Sequence, residues 1–567
     1  MPQPINMRKT TFMAVLLLFT IRCSNISAQS LSAATIKKID NLFQPWNSTT
    51  SPGCTIGIVR NDSLIYAKGY GMSNLEYGII NTPETIFHMA SVSKQFTAYA
   101  IVLLASQGKL NIDDDIRKYL TWFPDLKTKI TIRNLLNHTS GIRDQWQLLA
   151  ISGTRLDDVI TQDQVIKILS RQQALNFQPG DEYMYSNSGF TLLAEIVKSV
   201  SGKSLRKFTD SAIFKPLGMD HTHFHDDYTE IEKNRAYSYE KAGDGHFINS
   251  VLSYSTAGPT SLFTNIPDMS KWLMNFYNIK VGDEKTVTEL TRKLKLNSGK
   301  EQSYAEGIIN DTYRGEKRYW HNGADAGYRT CIAAFPGIKM GFIVFSNLAD
   351  FDTYGKSRQL EDLFIKDRSA KPVKFSTVKD SSKAIIADTS GLKTITGDYI
   401  AEDGERFGVF SKNKKLYVAF SPADRHLLIK TQNDTLAIFE DPTVKFLFNV
   451  KSTKEVAVTE YWPGEQRELT KYVADTNRTD QQLMVYTGEY YSPELGCKYG
   501  IALKDHHLWL TNSKYSDTKL TLIGQDHLTS DFWWIDHMKI KWGRKNKIEG
   551  FEVNSGRVRH LLFKKME

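Results

Sequence analysis

Cysteine is scarce in this chain, with four among 567 residues. Cys23 falls in a leader-like start, which leaves Cys54, Cys331 and Cys497, an odd number that cannot all pair internally. A disulfide-stapled small-domain scaffold is thereby excluded. Cys54 and Cys331 lie in predicted strands, where they either neighbour each other across a sheet or stay as buried thiols. Blocks of like charge are missing too. Basic residues are scattered, so nothing points to a nucleic-acid partner. Neither Cys–His spacing nor paired carboxylates suggest a metal, and no metal or cofactor is expected. His221, His223 and His225 alternate, but no further ligand is evident, and an exposed, solvated segment is the favoured reading.

Long apolar runs are also lacking. Phe12-Met13-Ala14-Val15-Leu16-Leu17-Leu18-Phe19 is too short for a comfortable membrane span. With Arg8-Lys9 before it and Ile26-Ser27-Ala28 after it, the run reads as a secretory signal over residues 1–28. The expected location is secreted, in a bacterial periplasm. Cys23 offers a lipoprotein alternative, which Arg22 fits poorly. No transmembrane segment is expected in the mature chain. Loss of Arg8, Lys9 and Arg22, with no acid, takes the formal net charge from +9 to +6.

What is present is three short motifs in order. The first is Ser91-Val92-Ser93-Lys94, ahead of the apolar stretch Gln95 to Ala105, which reads as a buried helix. The i,i+3 spacing puts Ser91 and Lys94 on one face. A serine hydroxyl needs a nearby base. A lysine serves only if its pKa falls from near 10.4 toward neutrality, a penalty on the charged form of roughly 4 kcal/mol. The helix N-terminus favours developing negative charge, and the Ser91 backbone N–H is a candidate oxyanion donor. Ser-x-x-Lys recurs at Ser204, Ser376, Ser411 and Ser516, so the pattern alone says little.

The second motif, Tyr185-Ser186-Asn187, follows a Pro179-Gly180 turn and precedes an apolar helix from Gly189 to Val200. Tyr185 can relay a proton and Asn187 can hold a substrate carbonyl, or the two are a packed aromatic and a helix cap. The third, His321-Asn322-Gly323, lies before a predicted strand. Gly323 permits close approach to a ligand, and the Ala324 N–H is the candidate second oxyanion donor.

Taken together, the three motifs resemble those of the penicillin-recognising serine hydrolases, above all the class C β-lactamase, DD-peptidase, D-aminopeptidase and esterase group. The flanks agree: Phe87-His88-Met89-Ala90 before Ser91, Ile132 to Ile142 with its Asn137-His138-Thr139-Ser140-Gly141, Pro216-Leu217-Gly218-Met219, and Asp268-Met269-Ser270-Lys271-Trp272. The resemblance covers roughly residues 35 to 365. It implies Ser91 as acylated nucleophile, Lys94 as its base or the partner that tunes it, Tyr185 in the proton relay, and Asn187, His321, Gly323 and Ala324 around the substrate. His321 stands where a β-lactamase has lysine, which removes a fixed positive charge. The Glu-x-x-Leu-Asn segment of the class A enzymes is absent.

The length calls for several domains. The expected fold is α/β over residues 30–366, an antiparallel sheet flanked by helices. Strands Cys54–Arg60 and Leu64–Tyr70 would lie beside Tyr328–Phe335 and Met340–Asn347, with a mostly helical insertion between them. A polar linker over 367–390 leads to two small antiparallel barrel-like modules, 391–475 and 483–567. These share Thr396-Gly397-Asp398-Tyr399 and Thr487-Gly488-Glu489-Tyr490, about 91 residues apart, too far for a solenoid. Phe532-Trp533-Trp534 and Trp542 are expected in the second barrel's core rather than on a ligand surface. By resemblance to the D-aminopeptidases, the last module is expected to reach toward the active site. The implied function is hydrolysis, through an acyl-enzyme, of small-molecule or peptide substrates: D-amino acid peptides first, small esters second. The alternatives are a class C-like β-lactamase and a non-catalytic protein that binds penicillin or wall peptides.

Overall fold

The computed structural model describes residues 31–368 and 394–567, apart from short gaps at 402–403, 421–424, 432–434, 440–443, 454, 463–464 and 476. The leader, with Cys23, and most of the linker lie outside the described residues.

The first body is α/β. Its six-stranded antiparallel sheet runs, edge to edge, Ile309–Tyr313, Glu316–Asp325, Tyr328–Phe335, Met340–Ser346, Cys54–Arg60 and Ser63–Tyr70. The chain's first strands therefore lie beside its last in one antiparallel sheet, as the sequence predicts. Central strands such as Met340–Ser346 are buried throughout and largely apolar because helices cover both faces. Ala33–Phe43 and Thr353–Asp362 cover one face, with Ile39, Phe43 and Leu360 in the apolar cluster there. Ile266–Met274 covers the other, so close that a Cβ on Gly57 would lie 2.5 Å from Ile266 Cγ2. Cys54 and Cys331 are both free thiols, on strands separated by Met340–Ser346.

The insertion is mainly helical. Ser93–Ser106 is buried from Ser93 to Leu104 and packs against Asn187–Ser201. A helix enclosed on all sides has no polar face to present, which explains its apolar sequence.

Two all-β modules follow. The first, Gly397–Tyr472, is a closed eight-stranded barrel. The second is a nine-stranded antiparallel sheet whose edge strands, Tyr515–Lys519 and Thr521–Ile523, are consecutive in the chain, so the sheet wraps nearly into a barrel. Both open alike. Gly397 and Gly488 take φ of +135° and +138°, conformations that favour glycine. Tyr399 donates to the Ile395 carbonyl at 2.7 Å and Tyr490 to the Tyr486 carbonyl at 2.6 Å. Lys471 and Lys565 each donate to a carbonyl ahead of the opening strand, that of Thr394 and that of Val485.

The aromatic residues of the second module depart from expectation. Trp533 is 53% exposed, and Trp534 stacks on Phe532 and contacts Tyr515 at the face toward the first body. Phe532, Trp534 and Trp542 are partly buried against the apolar cluster rather than enclosed in it. Among the described residues no helix is long and apolar enough to cross a membrane.

Candidate active site

Ser91 lies in a single 3₁₀ turn, Ala90–Val92, that leads directly into the Ser93–Ser106 helix. The residue before it, Ala90, is held at φ +48°, a left-handed conformation that costs an L-residue roughly 1–3 kcal/mol and persists only where its surroundings impose it. Here they do. The Ala90 N–H donates to His88 Nδ1, the Met89 N–H to the Leu262 carbonyl, and Thr330 Oγ1 to the Met89 carbonyl. Thr330 pairs with Gly323 on the neighbouring strand. A Cβ on Gly323 would stand 2.5 Å from the Met89 carbonyl oxygen, so only glycine lets this strand lie against the Ala90–Val92 turn.

Lys94 is fully buried, one turn along. Its Nζ lies 3.2 Å from Ser91 Oγ and donates to Asn187 Oδ1 at 2.9 Å and to the Pro259 carbonyl at 2.8 Å. Burial pushes its pKa well below the ordinary lysine value, and the Arg557 guanidinium pushes the same way, against the pull of Asp144 and Asp325. Asn187 is itself fixed by Asp144, whose Oδ2 accepts from the Asn187 backbone N–H at 2.7 Å and from Nδ2 at 2.8 Å.

Tyr185 places its ring 4.8 Å from Lys94 Nζ. Burial raises its pKa well above the usual value, with the Ser91 hydroxyl opposing, so the phenol is protonated at neutral pH. His138 stacks on Tyr185 with ring centroids 4.2 Å apart, and its Nδ1 accepts from the Ser186 backbone N–H.

His321 is buried and its pKa falls to about 3, through burial first and the nearby Lys94 second. Its Nδ1 lies 2.6 Å from the Asn322 carbonyl and its Nε2 2.9 Å from the Tyr304 hydroxyl. A carbonyl only accepts, so Nδ1 carries the proton and Nε2 accepts from Tyr304. The ring is neutral and supplies no positive charge. Ala324 is exposed, and Asp325 beside it accepts from Thr260 at 2.7 Å, with its pKa raised to about 6 by burial.

The structure thus brings Ser91, Lys94, Tyr185 and Asn187 together, with His321, Gly323 and Ala324 on the adjoining strand. Sequence reasoning missed Asp144, Tyr304, Asp325 and Arg557, and took the block that holds His138 as structural only. No local pattern marks these residues, because each acquires its role through a neighbour distant in the chain.

The alternating histidines differ from expectation as well. His225 is buried, and the ligand atoms of His223, His225 and Glu230 lie within 4.8 Å of one another. Arg206 holds the Glu230 carboxylate through both terminal nitrogens, at 2.5 and 2.8 Å, which accounts for that group as an ion pair. His221 is exposed.

Comparison with known proteins matches residues 39–364 to the Beta-lactamase family model. Penicillin-binding protein 4* of Bacillus subtilis (strain 168) is 25% identical over 397 residues, covering 67% of this chain and 87% of its own. The D-aminopeptidase of Brucella anthropi is 28% identical over 280 residues, 49% of this chain and 52% of its own, so the chain spans about half the length of that relative. Among solved structures, the octameric penicillin-binding protein homologue from Pyrococcus abyssi has a TM-score of 0.54 at 23% identity, covering 77% of this chain and 100% of that one, which is a likeness of fold.

Proposed function

We propose, for a chain that belongs to the Beta-lactamase family, that it is an exported serine hydrolase which forms an acyl-enzyme at Ser91 and cleaves amides or esters, D-amino acid peptides foremost and small esters next. One observation carries this reading: the buried Lys94 amine, 3.2 Å from Ser91 Oγ, with its pKa depressed. A neutral amine has two N–H donors and one lone pair. Asn187 Oδ1 and the Pro259 carbonyl take the two donors, which turns the lone pair to Ser91. Lys94 then accepts the Ser91 proton as the hydroxyl attacks the carbonyl. The backbone N–H groups of Ser91 and Ala324 receive the oxyanion. Tyr185, held as a neutral phenol, gives its proton to the leaving group and regains one from Lys94. Water, deprotonated by the same groups, releases the acid.

The neutral His321 weighs against the β-lactamase alternative, because it offers a substrate carboxylate no ion pair. The test is intact-mass spectrometry of the protein mixed with a penicillin and with short esters and D-amino amides, with Ser91→Ala as control. A Ser91-dependent acyl adduct or turnover is expected. Turnover that survives Ser91→Ala sinks the reading at Ser91, and full cellular function in a variant that shows no turnover favours a non-catalytic binding protein.

A further inference from the structure

The last hairpin of the second module, Ile548–Ser555 and Val558–Lys565, turns at Gly556 and Arg557. That turn is set into the first body. The Arg557 N–H donates to Gln147 Oε1 at 2.8 Å, and its carbonyl accepts from Asn176 Nδ2 at 2.9 Å and from the Asp144 N–H at 3.3 Å. Gln147 Nε2 returns a bond to the Ser555 carbonyl, and Asn176 Oδ1 accepts from the Arg559 N–H. The Arg557 backbone is thus held from both sides by residues of the first body.

Its side chain lies over the site. The guanidinium carbon is 4.8 Å from the Tyr185 ring centroid, and Nη1 is 3.8 Å from Asp144 Oδ2, too long for a hydrogen bond. Asp144, engaged by Asn187 and by the Trp146 N–H, forms an ion pair with Arg557 at that distance but accepts no hydrogen bond from it, so the guanidinium donors stay available. The side chain remains 47% exposed. The other cations nearby are occupied. Lys94 is buried and bonded inward, Arg329 donates to the Ala326 and Tyr328 carbonyls, and Arg559 pairs with Glu182. With His321 neutral, Arg557 is, among the described residues, a fixed positive charge over Tyr185 that has donors to offer.

We propose that Arg557, delivered by the C-terminal module, forms an anion-binding subsite of the active site and selects substrates that carry a carboxylate near the scissile bond. A guanidinium 4.8 Å from an aromatic ring centroid keeps N–H donors for a bidentate pair with a carboxylate, a role for which lysine lacks the planar fork. The subsite would disfavour substrates with a free amine at the same place. The inference deepens the serine hydrolase reading and rests on it for its meaning in turnover, though not for binding.

Two measurements on the full-length protein keep the readings apart. The first is calorimetric titration of the Ser91→Ala protein with glutarate and with its neutral diamide. Glutarate is expected to bind at least about ten-fold tighter, with the preference lost in Ser91→Ala/Arg557→Gln and partly kept with Arg557→Lys. Equal affinity for acid and diamide, no binding of either, or a preference that survives Arg557→Gln overturns the subsite. The second is kcat/KM for 3-acetoxybenzoate against phenyl acetate, a charged and a neutral ester of the same acyl group, and for p-nitrophenyl hemiglutarate against p-nitrophenyl valerate. At least one charged ester is expected to be preferred, and the ratio to fall at least about ten-fold in Arg557→Gln with an unchanged thermal melt. Ratios that Arg557→Gln does not move overturn the selectivity, whereas turnover that persists in Ser91→Ala overturns the hydrolase reading and leaves the titration to decide the subsite.

Discussion

The two C-terminal modules begin with the same device and end in different places. Each opens with a left-handed glycine, a tyrosine bonded to the carbonyl four residues back, and a strand lysine that returns to the entry segment. The first module then closes around an apolar cluster of its own, with Tyr399, Phe407, Val418 and Phe446 at its centre. The second shares one continuous apolar cluster with the catalytic body, from Leu148 and Leu149 to Tyr499 and Leu510. Docking comes from residues outside the shared device. Arg143, fully buried, donates to both carboxylate oxygens of Glu494 at 2.8 Å and to the Arg559 and His560 carbonyls. Tyr499 and Tyr515 donate to carbonyls that end the Gln145–Ile151 helix, among them Ile151 and Ala150. Between the last two strands of the first module, Val456–Trp462 and Glu465–Tyr472, the sequence reads Pro463-Gly464, with no arginine where the second has Arg557. A repeated strand pattern therefore builds the barrel, and a handful of unrepeated side chains decides what the barrel touches.

The comparison can be broken in order of severity. A chain ending at residue 476 keeps the first module and strips the second, which exposes the shared apolar cluster and the buried Arg143. Loss of soluble protein and of catalysis is expected, and a soluble, fully active truncation would show that the shared cluster is not needed. Arg143→Ala strands Glu494 in a buried site and should cost about 3–5 kcal/mol by urea unfolding. Acid offers a third test. Burial lowers the pKa of His321 to about 3 and of His537 to about 3, below the ordinary value near 6.5. A histidine kept neutral in the fold contributes stability that is full above the unfolded value and is lost as pH falls toward the folded value. At pH 5 each such group should have lost about 2 kcal/mol. Both lie in the catalytic body and second module, so these should lose stability between pH 6.5 and 4, with His321→Gln or His537→Gln flattening the slope. Tyr490→Phe and Tyr399→Phe each remove one hydrogen bond, worth about 1 kcal/mol, but only Tyr490→Phe should reach turnover. The smallest effect is expected for Arg406→Ala, which breaks a part-exposed pair between the modules, Arg406–Asp536 at 3.2 Å, and should stay under about 1 kcal/mol with catalysis untouched.

Much of the molecule is legible from local pattern. The central strands read as mostly apolar runs, and the helix after Lys94 as apolar nearly all round, because both are covered on their faces. The modules announce themselves through repeated Thr-Gly-acid-Tyr. Ser91, Lys94, Tyr185 and Asn187 stand in motifs whose joint order carries more than any one of them. The reading fails where a residue's role is assigned by something far along the chain. Asp144 looks like an ordinary helix cap, which it also is, since the Trp146 N–H bonds to it. Trp534 looks like barrel core until the first body is set against it. His223 and His225 look solvated until Phe263 packs beside them.

The sequence by itself determined the α/β body, the two β modules, the order of the three motifs and the residue types that acyl transfer needs, because hydrophobic period, turn residues and i,i+3 spacing are local properties. Only the tertiary structure decided the protonation states and the charge of the site. Lys94 is depressed and His321 neutral because many distant side chains exclude water from them, and Arg557 stands over Tyr185 because a hairpin far later in the chain docks there. Desolvation and docking are sums over neighbours, and the neighbours are set by the fold.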